Sequence, residues 1–224
     1  MSQIEEGPMD LLEAVEGRRS VRAFREEPVP REVIEELLRY ASRAPSALNL
    51  QPWEVVVSGR RKEELSRRLL EAYRRRRIGC GPGMAVPLPI RFSRRISKMV
   101  DKMGPSVKAM GHSVDDFVNE GSCNFYGAPV ALLLLMDEVF PKGRLMDLGI
   151  FLGYLLLAAH ALGLGACPIG LITSYEDVIR EALAIEGKRV IVGVALGYPA
   201  PESPINLVRT DREELEEFAT FLGA

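Results

Sequence analysis

The sequence predicts an α+β fold, a small central sheet covered by helices, and three observations carry that prediction. Three short apolar runs, at 53–58, 130–136 and 189–196, are bounded by turn residues and read as interior strands. Several stretches around them repeat apolar residues at helical spacing. The order is helix, helix, strand, basic helices, strand, helix, helix, strand, helix, with no internal repeat.

Each element has a local reason. Asp10 and Glu13 form a capping-box pattern before Leu11, Leu12 and Val15, so a helix should run to about Gly17. RRSVRAF, 18–24, follows as a turn or strand edge. Pro28 and Pro30 bracket an extended piece, and Pro30 suits a first helical turn. Val33, Ile34, Leu37, Leu38 and Ala41 make the next helix, which Pro45 closes. SALNLQP is a loop, and WEVVVS is the first strand. GRRKEELSRRLLEAYRRRR is a basic helix carrying Leu65, Leu69, Leu70 and Tyr73. Residues 79–96, rich in glycine and proline, read as an irregular crossing. Ser113 and Asp116 mark a new helix start, and Val130–Met136 is the second strand. Ser174 and Asp177 form a capping box, Arg189–Leu196 is the third strand, and Thr210 and Glu213 cap a last helix through Leu222.

Leu148–Ile172 contains no formally charged residue and is long enough to span a bilayer. His160 in its middle, five glycines and Pro168 argue instead for a buried helix over roughly 147–162 and a glycine-rich turn. The small sheet cannot cover so much apolar helix, and an obligate dimer would supply the missing cover. The first nineteen residues carry no apolar signal core, so a cytoplasmic protein without a membrane segment is expected.

Composition excludes other classes. At 224 residues, 47% hydrophobic and 27% charged, the chain fits one globular domain over 1–224 that needs no disulfide or structural metal. Cys80, Cys123 and Cys167 are scattered and odd in number, which fits a reducing compartment. Net charge is −2, but residues 60–108 carry fifteen Lys and Arg against four Asp and Glu. That basic segment either forms a solvated helix face or attracts anions. A pI near 5.9 and the lack of a groove-reading motif argue against nucleic acid.

Conventional catalytic clusters are missing. His112 and His160 lie 48 residues apart, and no metal spacing, nucleophile elbow, Walker motif or dinucleotide fingerprint occurs. His160 is expected to be a satisfied core or interface histidine, and Cys167 to be structural. The protein therefore either binds without catalysing or takes its chemistry from a cofactor. Arg18, Arg19 and Arg22 around Ser20 suit a phosphate, or are simply solvated. In APSALNLQPW, Ser46, Asn49 and Gln51 offer the amides and hydroxyl that a heteroaromatic edge requires, or form an ordinary loop.

Four ordered blocks, RRSVRAF, APSALNLQPW, GAPVALLLLMD and DLGIFLGYLLLAAHALGLGACPIG, with the tail NLVRTDREELEEF, make the chain similar to the flavin-dependent nitroreductase family. The resemblance implies a central, mainly antiparallel sheet surrounded by helices, in an intertwined homodimer with FMN at its interface. Arg18, Ser20 and Arg209 would hold the phosphate and ribityl chain, with Arg19 and Arg22 assisting. Ser46 and Asn49, supplied by the partner subunit, would contact the ribityl and ring region, with Pro45 beside them in the cofactor-binding set and Gln51, with Pro52, supporting that loop. Pro168 and Ile169 would wall one face of the ring, and the Gly170 N–H would point at flavin N5, so no catalytic side chain is named. The chain departs from many relatives at Gly153, Tyr154 and Gly170. The implied activity is ping-pong electron transfer from NADH or NADPH to a small nitroaromatic or quinone. Related scaffolds support two alternatives, reductive dehalogenation and flavin conversion. A non-enzymatic flavin or nucleic-acid binder using the basic segment is the remaining one. The basic segment, about 60–120, would form a variable channel wall, with Phe92, Phe117, Phe125 and Tyr126 as candidate contacts.

Overall fold

The computed structural model describes residues 9–59, 61–79 and 88–223. Four strands, β1 (Trp53–Ser58), β2 (Val130–Asp137), β3 (Gly165–Ile169) and β4 (Lys188–Gly197), form one antiparallel sheet in the order β1-β2-β4-β3. Strand periodicity divides the core into two layers. Leu132, Leu134, Met136, Val192 and Val194 face α2 (Arg31–Ala41) and α6 (Leu145–Ala161). Ala131, Leu133, Leu135, Val190 and Ala195 face α3 (Lys62–Arg76) and α7 (Glu176–Leu183). A third cluster joins Met103 and Val107 of α4 (Ile90–Ala109), Phe117 of α5 (Val114–Cys123) and Ile205 of α8 (Pro204–Leu207). At the N-terminal side, α1 (Leu11–Gly17) is capped by Asp10, whose carboxylate accepts from the Leu12 N–H at 2.8 Å.

Four expectations need correction. GACPIG is an edge strand, not a turn. Pro168 is tolerated there because β3 pairs with a strand, β4, on one side, while its other side meets only a bridge from Ser20 to Ala166. The expected irregular stretch fails over 90–96, which begins the 20-residue α4, while 80–87 lie outside the described residues. Ile96, Met99, Val100, Met103 and Val107 do recur at helical spacing, but Gly104 and Pro105 interrupt the pattern. Tyr175, not Ser174, is the N-cap of α7, and Asp177 instead pairs with Arg76 at 2.5 Å. The last helix is absent. Only Leu215–Glu217 form a 3-10 turn, because Asp211 and Glu213 are drawn to cations on α4 and Phe218 and Leu222 find no cover.

The apolar run resolves as expected into helix α6. Asp147, Leu148, Phe151, Leu155 and Ala159 face the core. Met146, Gly149, Ile150, Gly153, Tyr154, Leu157 and Ala161 return to the opposite face at the helical period. That face carries no charge, and nothing lies within 4 Å of a Cβ built on Gly149 or Gly153. Among the described residues, Lys142–Ala161 is the one helical stretch long and apolar enough to cross a membrane.

Candidate functional site

After α1 the chain extends and lies along the free edge of β3. Ser20 bridges Ala166, and the Val21 N–H donates to the Ala166 carbonyl at 3.1 Å. Gly165 permits this approach, since a Cβ there would sit 2.7 Å from the Val21 side chain. A second anchor comes from far along the sequence. Asn206, 1% exposed, accepts from the Arg22 N–H at 2.9 Å and donates to the carbonyls of Ala23 and Ala200 at 2.8 and 2.9 Å. Its own carbonyl accepts from Arg19 Nε at 2.9 Å and from an Arg209 amine at 3.1 Å. One buried asparagine thus ties both arginine-bearing segments together.

The result is a cleft of about 430 Å³ lined by Arg18, Arg19, Ser20, Arg22, Arg209 and Arg212, with Met99 and Met103 opposite. Five guanidinium groups face a single carboxylate, Glu16. Arg18 and Arg22 have no ion pair among the described residues. Arg22 lies 5.9 Å over the Tyr126 ring. Burial, and then the like charge of Arg209, hold Arg19 below its ordinary pKa. Desolvated, crowded cations of this kind favour a bound anion, and a phosphate matches their forked donors.

From Ala166 the strand leads away from the cleft. Four residues at about 3.3 Å each place Gly170 roughly 13 Å further along. Pro168 is half-buried, Ile169 buried and Gly170 exposed. The Gly170 carbonyl accepts from the Thr173 N–H and hydroxyl at 3.0 and 2.8 Å. Its N–H has no acceptor among the described residues. With φ −77°, and with nothing within 4 Å of an added Cβ, glycine here is required by neither conformation nor packing in this chain. Cys167 points into the core, where burial raises its thiol pKa, in keeping with a structural residue.

The loop 45–51 is not part of this cleft. Ser46 Oγ accepts from the Gln51 N–H at 2.9 Å, and the Gln51 amide donates to Asn49 Oδ1 at 3.2 Å. Leu48, Asn49 and Gln51 all have φ near +50°, a strained conformation for residues with side chains. Leu48 is 91% exposed. Asp147 on α6, 6% exposed, steadies the loop by accepting from the Ala47 N–H at 3.3 Å and pairing with Arg144 at 3.4 Å. The structure therefore gathers Arg18, Arg19, Ser20, Arg22 and Arg209, and sets Pro168, Ile169 and Gly170 beyond them. It leaves Pro45, Ser46, Asn49 and Gln51 elsewhere on the chain's own surface. Asn206, Arg212 and Asp147 went unread in the sequence, although Asn206 and Arg212 lie within the recognised NLVRTDREELEEF tail.

The remaining candidates fall as follows. His160 is half-buried rather than in the core, its ring against Gly17. It borders a second cavity of about 220 Å³ shared with Arg18 and Arg19. Burial first, then Arg19 and Arg18, lower its pKa, so it is neutral at pH 7. The His112 ring lies 6.2 Å from Phe117. Phe117 and Phe125 are buried, whereas Tyr126 and Phe92 are half-buried. Much of the basic segment is ion-paired, through Arg67 and Arg68 to Glu64, Arg74 to Glu120 and Arg76 to Asp177. No metal-ligand cluster occurs among the described residues.

A model of the nitroreductase family matches residues 15–198. The chain is 33% identical to nitroreductase NfnB of Mycolicibacterium smegmatis, with 96% of each chain covered. It is 31% identical to a 4-nitrobenzoate reductase of Pseudomonas putida, again with 96% of each covered. The structure of FMN-dependent NfnB from Mycobacterium smegmatis in complex with NADPH superposes with a TM-score of 0.84 at 31% identity, covering 95% of this chain and 100% of that one.

Proposed function

The chain belongs to the nitroreductase family, and from that premise we propose that it is an FMN-dependent NAD(P)H oxidoreductase acting on nitroaromatic or similar conjugated acceptors. The observation that carries this reading is the arginine cleft joined to the β3 edge. A phosphate group would sit among Arg18, Ser20, Arg22 and Arg209, and the strand then runs roughly 13 Å to an unpaired backbone donor at Gly170. A phosphorylated, elongated ring compound fits that arrangement. When bound, FMN would supply the hydride and electron chemistry that the side chains lack.

The chain's own residues do the rest. The guanidinium groups bind and orient the phosphate. Pro168 would present an apolar wall to the ring, with Ile169 buried in the core behind it, and the Gly170 N–H would stabilise charge at the reacting nitrogen. Asn206 keeps both arginine segments in register. No side-chain acid or base is needed, which agrees with the lack of a histidine or carboxylate cluster in the cleft.

The active unit is a homodimer in this proposal. The uncharged outer face of α6, with its open glycines, supports close approach of a second copy. The exposed, strained loop carrying Ser46, Asn49 and Gln51 then serves the partner's cofactor. Each chain acts as one FMN-binding domain, with the basic 60–120 segment forming a variable wall for the acceptor. Anaerobic titration tests the reading. Purified protein should be yellow, bleach on adding NADH or NADPH, and recover its colour with a nitroaromatic. Protein that neither binds FMN nor takes electrons would overturn it.

A further inference from the structure

Beyond α8 the chain carries an acidic run, Asp211, Glu213, Glu214, Glu216 and Glu217, that was expected to be helical and is not. Two of these carboxylates dock on α4 instead. Asp211 pairs with Lys102, and Glu213 pairs with Arg95 at 2.9 Å. Lys102 holds the Asp211 carboxyl below its ordinary pKa. Arg95 and Lys102 are seven residues apart, two helical turns, and so share a face. Asp211 and Glu213, two apart in a non-helical segment, also point to one side. The spans agree: about 10 Å along the helix and about 7 Å along the chain. The same helix sends Met99 and Met103 into the arginine cleft, where Val208, Arg209 and Thr210 meet them. Arg209 is exposed, and among the described residues its guanidinium donates to the carbonyls of Asn206 and Val208 alone. The clamp begins two residues later.

We propose that Lys102 and Arg95 are positioning residues for the cofactor's phosphate: by clamping Asp211 and Glu213 against α4 they hold the backbone that aims Arg209 into the cleft. The inference rests on the FMN reading above. It makes α4 part of the phosphate end of the site, and assigns two charges of the basic segment a purpose other than contact with substrate. Exposed ion pairs are individually weak and are screened by salt, so the effect should be modest and ionic-strength dependent.

The test compares FMN with riboflavin, which lacks the phosphate, by fluorescence quenching at low and high ionic strength. In the Lys102→Met, Arg95→Met double variant the FMN Kd should rise about three- to tenfold at low salt. The difference should shrink at high salt, and riboflavin binding should not change. An Arg209→Met background should abolish the effect, and combining Lys102→Asp with Asp211→Lys should restore much of the affinity. Equal weakening of both flavins, or no change in either, overturns the inference while leaving the FMN reading intact. An unmodified protein that fails to bind FMN overturns both. If the double variant does not fold, Asp211→Asn breaks the Lys102 contact from the tail's side, with the same expectations.

Discussion

The two ends of the proposed cofactor site differ in how much of each a single chain supplies. The arginine corner is finished. Its segments are fixed to β3 by Gly165 and Val21, and to each other by Asn206, and its cations face one cleft. The 45–51 loop is equally defined but faces solvent, with three strained residues and an exposed leucine. The outer face of α6, opposite the loop's buried Asp147 anchor, is likewise apolar and partly exposed. Strain and exposed apolar surface persist when something else compensates them. On the proposed reading, the contrast teaches that the phosphate end is built within one chain, while the loop's share of the ring end comes from a second.

The comparison can be broken at several points. Asn206→Leu should have the largest effect. It strips partners from buried groups at Arg22, Ala23 and Ala200, at a cost of about 3–5 kcal/mol. Thermal unfolding should fall sharply, and FMN binding should be lost. Gly153→Glu comes next, because it adds a charge where the chain itself leaves room. Stability of the monomer should change little, but light scattering should show dissociation and FMN affinity should fall more than tenfold. A persistent dimer would place the interface elsewhere. Ser46→Ala and Asn49→Ala should each weaken FMN binding by roughly 1 kcal/mol, about fivefold, without altering the cleft.

Two smaller effects concern His160 and Gly170. His160 titrates below the ordinary histidine range in the folded protein, owing to burial and then to Arg19 and Arg18, with Glu13 opposing. Its depressed pKa means that stability falls as pH drops below the unfolded-state value and is recovered above it. A phosphate on Arg18 and Arg19 would offset their repulsion, so FMN should raise the His160 pKa in an NMR titration. A fall or no shift would separate His160 from the phosphate end. Gly170→Asp should leave stability within about 0.5 kcal/mol, since the added atoms meet open space. It should slow cofactor reduction by placing a negative charge beside the proposed N–H donor.

Legibility in the sequence followed the range of the causes. β1, β2 and β4 and helices α2 and α6 were readable because apolar periodicity is a local signal. β3 was not, since Gly165 and Pro168 disguise a strand that pairing with β4 makes. α4 was hidden by Gly104 and Pro105, and the last helix was over-read because its capping pattern carries charges that α4 attracts. The arginine corner could be read from RRS and Arg209, but Asn206 could not. It acts through bonds to residues 183 and 184 positions away, and no local pattern signals that. The basic segment's excess charge was visible in the sequence, whereas its pairing across α3, α5 and α7 was not.

Subunit mixing tests the central claim most directly. One variant, Arg18→Glu with Arg209→Glu, spoils the arginine corner, and another, Ser46→Ala with Asn49→Leu, spoils the loop. Each homodimer should bind FMN poorly. After unfolding and refolding together, half of the dimers should be mixed, and each of these should hold one intact site and one doubly damaged site. Binding capacity should therefore return to about a quarter of the unmodified protein's. If mixing restores nothing above the two parent variants, corner and loop serve the same chain's cofactor, and the division of the site between subunits is wrong.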